Sequence, residues 1–293
     1  MRELFIKWLY LEAKNNNNWM LLVGDLGFGL VEKFKNDLPN QFFNAGIAEQ
    51  NMASVAAGMA SEGDKVFLYS IGNFPTFRCA EQIRNDICYH DLDVTIVCFG
   101  AGLGYGSLGY SHHAIEDLSF VRSMKNMSIC SPCNIYQLSY SLSLMTNNFS
   151  PKYLRLSKNT LDDIEPISIS DNACVFKSNE DSTILVLPIG NTLKEAFMIA
   201  GKFDGHSDII SINFWGIKYE KELVILLKKY KKVITIEDHL KTAGFGSYIS
   251  EIIVFNALKI EIEIMGYEKD VVGMVGDEDN IRKLTNFAGC YGN

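Results

Sequence analysis

Glu49 is the residue of this sequence whose surroundings most clearly suggest chemistry. It lies in the stretch GIAEQNMASVAAGMA, where most neighbours are small or apolar. An ionised carboxylate inside an apolar helix is costly unless it is paired or protonated. A glutamate in a first helical turn also serves as a cap that favours the helix dipole. Glu49 is therefore either a capping acid or a proton donor in a site.

Other polar and aromatic side chains of the first half are spaced for a site. The adjacent histidines His112 and His113 follow five glycines in GAGLGYGSLG. A random pair of this kind often holds one packed and one solvated histidine. Phe74 and Phe77 stand at positions i and i+3. Together with Glu49, these residues indicate a site for a heteroaromatic cofactor and a polar substrate.

Short apolar runs alternate with amphipathic segments and would position these residues. We predict strands in WMLLVGDLG, KVFLYSI and DVTIVCFG, and helices over 47–62 and 79–89. A second series has strands in STILVLPIG, DIISINFW and KVITIEDH, with helices over 192–203, 220–230 and 248–257. The alternation predicts an α/β fold, a parallel sheet with flanking helices, whose functional groups gather at the carboxyl ends of the strands.

The domain boundaries follow from a polar stretch near the middle of the chain, where the alternation is lost. We predict a first domain over residues 1–160, a linker over 161–182 and a smaller α/β domain over 183–293.

Composition excludes several classes of function. The net charge of -8 argues against binding to nucleic acid or to an anionic membrane surface. No apolar run approaches the roughly 18 residues of a membrane span, and the charged start does not fit a signal peptide. Seven cysteines, an odd number, fit a reducing compartment better than a disulfide framework. We expect a cytoplasmic protein.

Long motifs in a fixed order resemble the C-terminal half of transketolases and of deoxyxylulose-phosphate synthases. GDLG at residue 24 resembles the strand end ADL of the family, and FFNAGIAEQNMASVAAGMASEG resembles RFxNxGIAEQNMxxxAAGLAxxG. FPTFRCAEQIRND, GLGYGSLGYSHHAIEDLSFVRSMKNMSICSP and VITIEDHLKTAGFGSYISE resemble three further family motifs. The resemblance covers essentially the whole chain. It implies a pyrimidine-binding domain followed by a transketolase C-terminal domain, as in enzymes split into two polypeptides.

The resemblance implies a thiamine diphosphate site. In this family the glutamate at the Glu49 position bonds N1′ of the aminopyrimidine and promotes loss of the C2 proton. Such an acid must be protonated or share a proton, so an apolar surround is useful. Phe74 and Phe77 match aromatic residues that flank the pyrimidine, and Ile71 replaces a third aromatic. The other expected cofactor-binding residues belong to the GDLG strand end and are Asp25 and Leu26.

The resemblance also implies a partner, because the motif that holds the diphosphate and Mg²⁺ in this family is absent. We expect an N-terminal transketolase-type subunit that carries the diphosphate-binding domain and the Mg²⁺ ligands. The expected assembly is an α2β2 heterotetramer with sites at subunit interfaces.

The substrate side departs from the family pattern. His112 and His113 are expected catalytic residues, and His112 matches the family histidine that hydrogen-bonds the sugar. Ser107 and Leu108 replace two acids, one of which grips a substrate hydroxyl. Lys158 replaces an arginine that anchors phosphate. Further differences affect the same anchors, since Gly29 and Gly100 stand where transketolases have Ser and His, while Arg2 matches another arginine.

These differences predict transfer of a two-carbon ketol or acyl unit to a non-standard or modified sugar, from a ketose or 2-oxoacid donor. Two alternatives stay open. One is the β-type subunit of a 2-oxoacid dehydrogenase, and the other is a non-catalytic transketolase-like paralogue.

Overall fold

Six parallel strands form the first sheet in the computed structural model, which describes residues 1–291. The strands are β1 (Trp19–Val23), β2 (Phe42–Asn44), β3 (Lys65–Ile71), β4 (Val94–Phe99), β5 (Ser128–Cys130) and β6 (Lys152–Leu156). Their order in the sheet is β2-β1-β3-β4-β6-β5, and every neighbouring pair is parallel. The central strands β3 and β4 are almost wholly buried, as expected for strands covered on both faces. The predicted parallel α/β fold is confirmed.

Helices cover both faces of this sheet. They are α1 (Arg2–Asn15), α2 (Glu32–Asp37), α3 (Glu49–Ser61), α4 (Phe74–Phe77), α5 (Ala80–Gln82), α6 (Asp117–Val121) and α7 (Ile135–Thr146). α1 and α7 contribute to the apolar cluster on one face, and α3 contributes to the cluster on the other. The helix predicted over 79–89 is divided, because α5 continues as a π-helical turn over Ile83–Cys88. Such turns occur frequently beside functional sites.

The second half of the chain forms a mixed six-stranded sheet. Its strands are β7 (Ser168–Ile169), β8 (Ala173–Lys177), β9 (Ile184–Ile189), β10 (Ser207–Ile212), β11 (Lys232–Leu240) and β12 (Glu261–Tyr267). Their order is β12-β11-β9-β10-β8-β7, with β7 and β8 antiparallel to their neighbours. The helices of this half are α8 (Leu193–Ala200), α9 (Glu220–Leu227), α10 (Phe245–Phe255) and α11 (Glu278–Leu284).

The segment predicted as a linker differs from that expectation. Residues 161–182 include the two antiparallel strands of the second sheet, the edge strand β7 and its neighbour β8. Alternate residues of β8 are buried, among them Cys174 and Phe176. A strand with one apolar face gives a weaker sequence pattern than a strand buried on both sides, so this polar stretch resembles a linker.

A buried ion network joins the two halves. Arg155 at the end of β6 is fully buried and donates to Asp117 Oδ2 at 2.9 Å. It also pairs with Asp238 of β11 and donates to the carbonyl oxygen of Ala114 at 2.6 Å. One apolar cluster continues across both halves and includes the buried Trp215. Packing and ion pairing therefore hold the two sheets together as one unit.

Within residues 1–291, none of the helices combines the length and the apolar character that a membrane crossing requires.

Candidate functional site

Three loops meet at the carboxyl edge of the first sheet and bring the predicted residues together. They leave β1, β3 and β4. The loops that follow β3 and β4 pack closely only because residue 72 is a glycine. A Cβ at Gly72 would lie 2.7 Å from the Cβ of Ala114. The ring centroids of Phe74 and His112 are consequently only 5.2 Å apart, in an edge-to-face arrangement. Residues separated by almost forty positions thus share one site, as the parallel topology predicts.

Glu49 is the first residue of α3 and is only 5% exposed. Its side chain does not cap the helix. Instead, Oε1 accepts a hydrogen bond from Nη1 of Arg78 at 2.9 Å. The guanidinium supplies the counter-charge that a buried carboxylate requires. Glu49 is therefore a paired acid at the edge of the site.

Arg78 is a site residue that the sequence analysis missed. Its side chain is half exposed, and its guanidinium carbon lies 4.2 Å from the centroid of the Phe74 ring. The flat guanidinium thus covers Phe74 as a flat heterocycle would. The sequence did contain a signal for Arg78. A buried Glu49 needs a cationic partner, and Arg78 directly follows Phe77, which is itself a predicted site residue.

The other residues predicted to contact the cofactor surround this group more loosely. Phe77 is exposed, while Ile71 at the end of β3 and Leu26 after β1 are half-buried. Asp25 is exposed and adopts a left-handed backbone with φ of 57°. Asn44 stabilises this turn: its Oδ1 accepts from the backbone N–H of Asp25 at 3.0 Å, and its Nδ2 donates to the carboxylate at 3.2 Å.

The two predicted histidines have different environments. His112 is half-buried between Phe74 and Tyr105, and Nδ1 lies 3.0 Å from the hydroxyl of Ser111. His113 is fully buried, with Nε2 3.5 Å from the carbonyl oxygen of Gly106. Burial lowers the pKa of His113 below its ordinary value. His112 ends a 3₁₀ turn over Tyr110–His112, and the chain leaves this turn in an extended conformation at His113. The side chain of His113 lies inside the protein, which conflicts with its predicted catalytic role.

The predicted phosphate-binding residues Arg2 and Lys158 line one cavity of about 400 Å³. Its other lining residues include Phe99 and Tyr105. Each cation faces an aromatic ring: the guanidinium carbon of Arg2 is 5.2 Å from the Phe99 centroid, and Nζ of Lys158 is 5.4 Å from the Tyr105 centroid. The cavity is also lined by the exposed Glu3, and the two cations outnumber this carboxylate, so the space favours an anionic group of a ligand. Leu108, on the loop that bounds this region, is 55% exposed.

These residues fit one half of the cofactor. A buried acid beside a half-buried aromatic ring is suited to hydrogen-bond a ring nitrogen while the ring faces are covered. By contrast, no cluster of three or more His, Cys, Asp or Glu side chains that could hold a metal ion occurs in the part of the chain described. The geometry is thus compatible with a heteroaromatic ring that carries a hydrogen-bonding nitrogen.

Comparison with known proteins places the chain in a family. Residues 1–163 match the model of the transketolase pyrimidine binding domain. A putative transketolase C-terminal section of Methanocaldococcus jannaschii is 32% identical, and the match covers 99% of this chain and 92% of the relative. A 1-deoxy-D-xylulose-5-phosphate synthase of Clostridium perfringens is 34% identical over 82% of this chain. The match covers only 39% of that longer relative.

A shorter relative and a solved structure resemble the chain over most of their own length. A subunit of the apulose-4-phosphate transketolase of Phocaeicola vulgatus is 26% identical, and the match covers 78% of this chain and 75% of the relative. A split gene transketolase, solved as an inactive β4 tetramer, has a TM-score of 0.81 and 26% identity. It matches 98% of this chain and 93% of its own. On these similarities, the chain belongs to the transketolase family and corresponds to the C-terminal subunit of a split transketolase.

Proposed function

We propose that this chain supplies the pyrimidine-binding half of a thiamine-diphosphate-dependent enzyme that transfers a two-carbon ketol or acyl unit. The observation that carries the proposal is the buried carboxylate of Glu49, which Arg78 links to the ring of Phe74 at the edge where His112 also lies. Thiamine diphosphate, when bound, supplies the reactive carbon that stabilises negative charge during carbon–carbon bond cleavage. Glu49 would hold a proton at the pyrimidine nitrogen, and Phe74 would cover one face of that ring.

The position of Arg78 adds one requirement to this role. Arg78 donates to the carboxylate and covers Phe74, so it occupies the contacts that the pyrimidine would make. Half of its side chain is exposed, so it can turn toward solvent, and the bond between Glu49 and the pyrimidine would replace the lost ion pair. We expect Arg78 to move when the cofactor binds. Glu49, without its counter-charge, would then take up a proton from solvent and share it with the ring nitrogen.

A partner subunit with the diphosphate-binding domain would complete the site. Large apolar side chains are exposed on the loops at the carboxyl edge of the first sheet, namely Phe28, Ile47, Phe77, Leu108 and Tyr110. Such a concentration around a half-formed site is typical of a protein interface. An N-terminal transketolase-type subunit would cover these side chains and bring the Mg²⁺ ligands. We propose an α2β2 assembly, since two-fold symmetry repeats one such interface.

The substrate is proposed to be a non-standard sugar. Leu108 presents an exposed apolar side chain near His112 where the family has an acid that grips a hydroxyl. A site with an acid that hydrogen-bonds a substrate hydroxyl strongly rejects substrates that lack this hydroxyl. A site without the acid gives no such preference. The relative from an apulose-4-phosphate transketolase supports an unusual sugar, although its substrate is a property of that protein.

Co-assembly with a chain that carries the diphosphate-binding domain tests the proposal. Calorimetry should show binding of thiamine diphosphate and Mg²⁺ to the complex and no tight binding to this chain alone. Turnover of a ketose donor should disappear in Glu49→Gln and persist in Glu62→Gln, which alters an exposed glutamate at the other end of α3. Acylation of a lipoyl domain would favour the 2-oxoacid dehydrogenase alternative. Failure of the assembled complex to bind the cofactor would favour a non-catalytic paralogue.

A further inference from the structure

The ring of Tyr105 occupies the space above Gly100. Gly100 follows β4 with φ of +81°, and a Cβ at this position would clash with the ring of Tyr105. Neither a histidine nor any other side chain therefore fits at position 100 while Tyr105 keeps its place. The sequence difference at Gly100 is thus compensated by an aromatic residue five positions later.

Tyr105 is close to two residues expected to contact the substrate. Its ring centroid is 6.4 Å from that of His112, and Nζ of Lys158 is 5.4 Å from the Tyr105 centroid. The ring also makes an edge contact with Phe99, whose other neighbour is the guanidinium of Arg2. Tyr105 therefore contacts His112 and also lines the cavity that holds the two cations.

The charge and size of this cavity restrict what can bind there. A volume of about 400 Å³ is small, and Arg2 and Lys158 both line it. A phosphate or carboxylate at the end of a short chain would contact both cations. Burial raises the pKa of the Tyr105 phenol, so its hydroxyl stays a neutral hydrogen-bond donor beside an anion.

We propose that Tyr105 is a specificity-determining residue whose ring narrows the space beside His112 and the Arg2 and Lys158 pair and so selects short substrates with a terminal anionic group. This inference rests on the proposed transferase function. Tyr105 acts mainly through the size of its ring, because the size of a side chain in a pocket wall limits the length of the substrate that fits. Two classes of substrate carry such a terminal anion, namely sugar phosphates and aldehydes that bear a carboxylate.

The test measures kcat/KM of the assembled complex for a ladder of acceptors. The phosphorylated probes are glyceraldehyde 3-phosphate, erythrose 4-phosphate and ribose 5-phosphate. The carboxylate probe is succinic semialdehyde, and glyceraldehyde serves as the neutral probe. Tyr105→Ala should shift the preference toward the longest phosphate by about 10-fold or more, the scale of discrimination expected for a pocket wall. Tyr105→Phe keeps the ring and should preserve the order of preference.

Two further measurements separate the possible outcomes. Tyr89→Ala removes the same ring at an exposed position and should leave the preference unchanged. A higher kcat/KM of the wild type for glyceraldehyde 3-phosphate than for glyceraldehyde identifies phosphate as the anion, whereas a preference for succinic semialdehyde identifies a carboxylate. Equal rates with charged and neutral probes would overturn the anion assignment. An active complex whose length preference is unchanged in Tyr105→Ala would refute the inference alone, whereas a wild-type complex without any turnover would refute the proposed function beneath it.

Discussion

Arg78 and Glu49 form an ion pair of 2.9 Å at the edge of the candidate site, with Glu49 almost fully buried and Arg78 half exposed. The pair is asymmetric, because only the carboxylate has lost its water. Arg78 therefore stabilises a charge that the protein interior would otherwise disfavour. In the proposed complex this stabilisation gives way to a bond between Glu49 and the cofactor.

A double-mutant cycle measures the coupling of this pair in the chain without cofactor. Arg78→Met should lower the free energy of unfolding by about 1–2 kcal/mol, because it leaves a buried carboxylate without its partner. The loss should largely vanish when Glu49 is already Gln. Urea unfolding of the four proteins measures the coupling. Additive effects of the two substitutions would show that the ion pair contributes nothing in solution.

Substitution of the acid should affect turnover more than folding. In the assembled complex, Glu49→Gln should reduce kcat by about 10²–10⁴-fold, the usual contribution of a positioned acid or base. Exchange of the C2 proton of thiamine diphosphate, followed by NMR, should slow in parallel. Full exchange in Glu49→Gln would contradict the assigned role, and a wild-type melting temperature would show that the loss is not one of folding.

Arg78 should be dispensable for cofactor binding although it stabilises the free chain. In the complex, Arg78→Met should bind thiamine diphosphate at least as tightly as the wild type, since the competing guanidinium is gone. Calorimetry measures this affinity, and Arg84→Met, at an exposed arginine of the following helical turn, is the control. A marked loss of affinity in Arg78→Met would show that the arginine itself contacts the cofactor.

The buried ion network should be necessary for the stability of the whole chain. Arg155→Met leaves the fully buried Asp117 and Asp238 without their shared cation. We expect a loss of about 3–5 kcal/mol in the free energy of unfolding, the range for breaking a buried pair. Urea titration with Arg84→Met as control measures it. A loss below about 1 kcal/mol would mean that the halves are held together by apolar packing alone.

His113 should contribute a pH dependence to stability. Because burial lowers its pKa from the ordinary value of 6.5, the folded chain binds fewer protons than the unfolded chain at mildly acidic pH. Stability from this group is therefore full above about pH 6.5 and is lost as the pH falls below that value. The difference in unfolding free energy between wild type and His113→Gln should shrink between pH 7.5 and 5.5. Parallel curves of unfolding free energy against pH for the two proteins would contradict the assignment. The buried His239 also has a lowered pKa, but it is present in both proteins, so its contribution cancels in the difference.

Much of the architecture could be predicted from sequence because it depends on local periodicity. Apolar runs in β3 and β4 mark strands covered on both faces, and their alternation with amphipathic helices requires parallel connections. The long motifs around Glu49 and His112 indicated the family and the edge of the sheet where the site lies. The antiparallel strands β7 and β8 were not predicted, since a strand with one apolar face in a polar stretch resembles a loop.

Tertiary structure decided the relations that depend on which atoms meet. Sequence proximity gave His112 and His113 the same expected role, yet the backbone directs one toward the site and buries the other. The pairing of Arg78 with Glu49 joins residues 29 positions apart, and the filling of the space above Gly100 by Tyr105 depends on the path of one loop. Periodicity along the chain carries no information on these contacts, because charge compensation and steric exclusion act between side chains that only folding brings together.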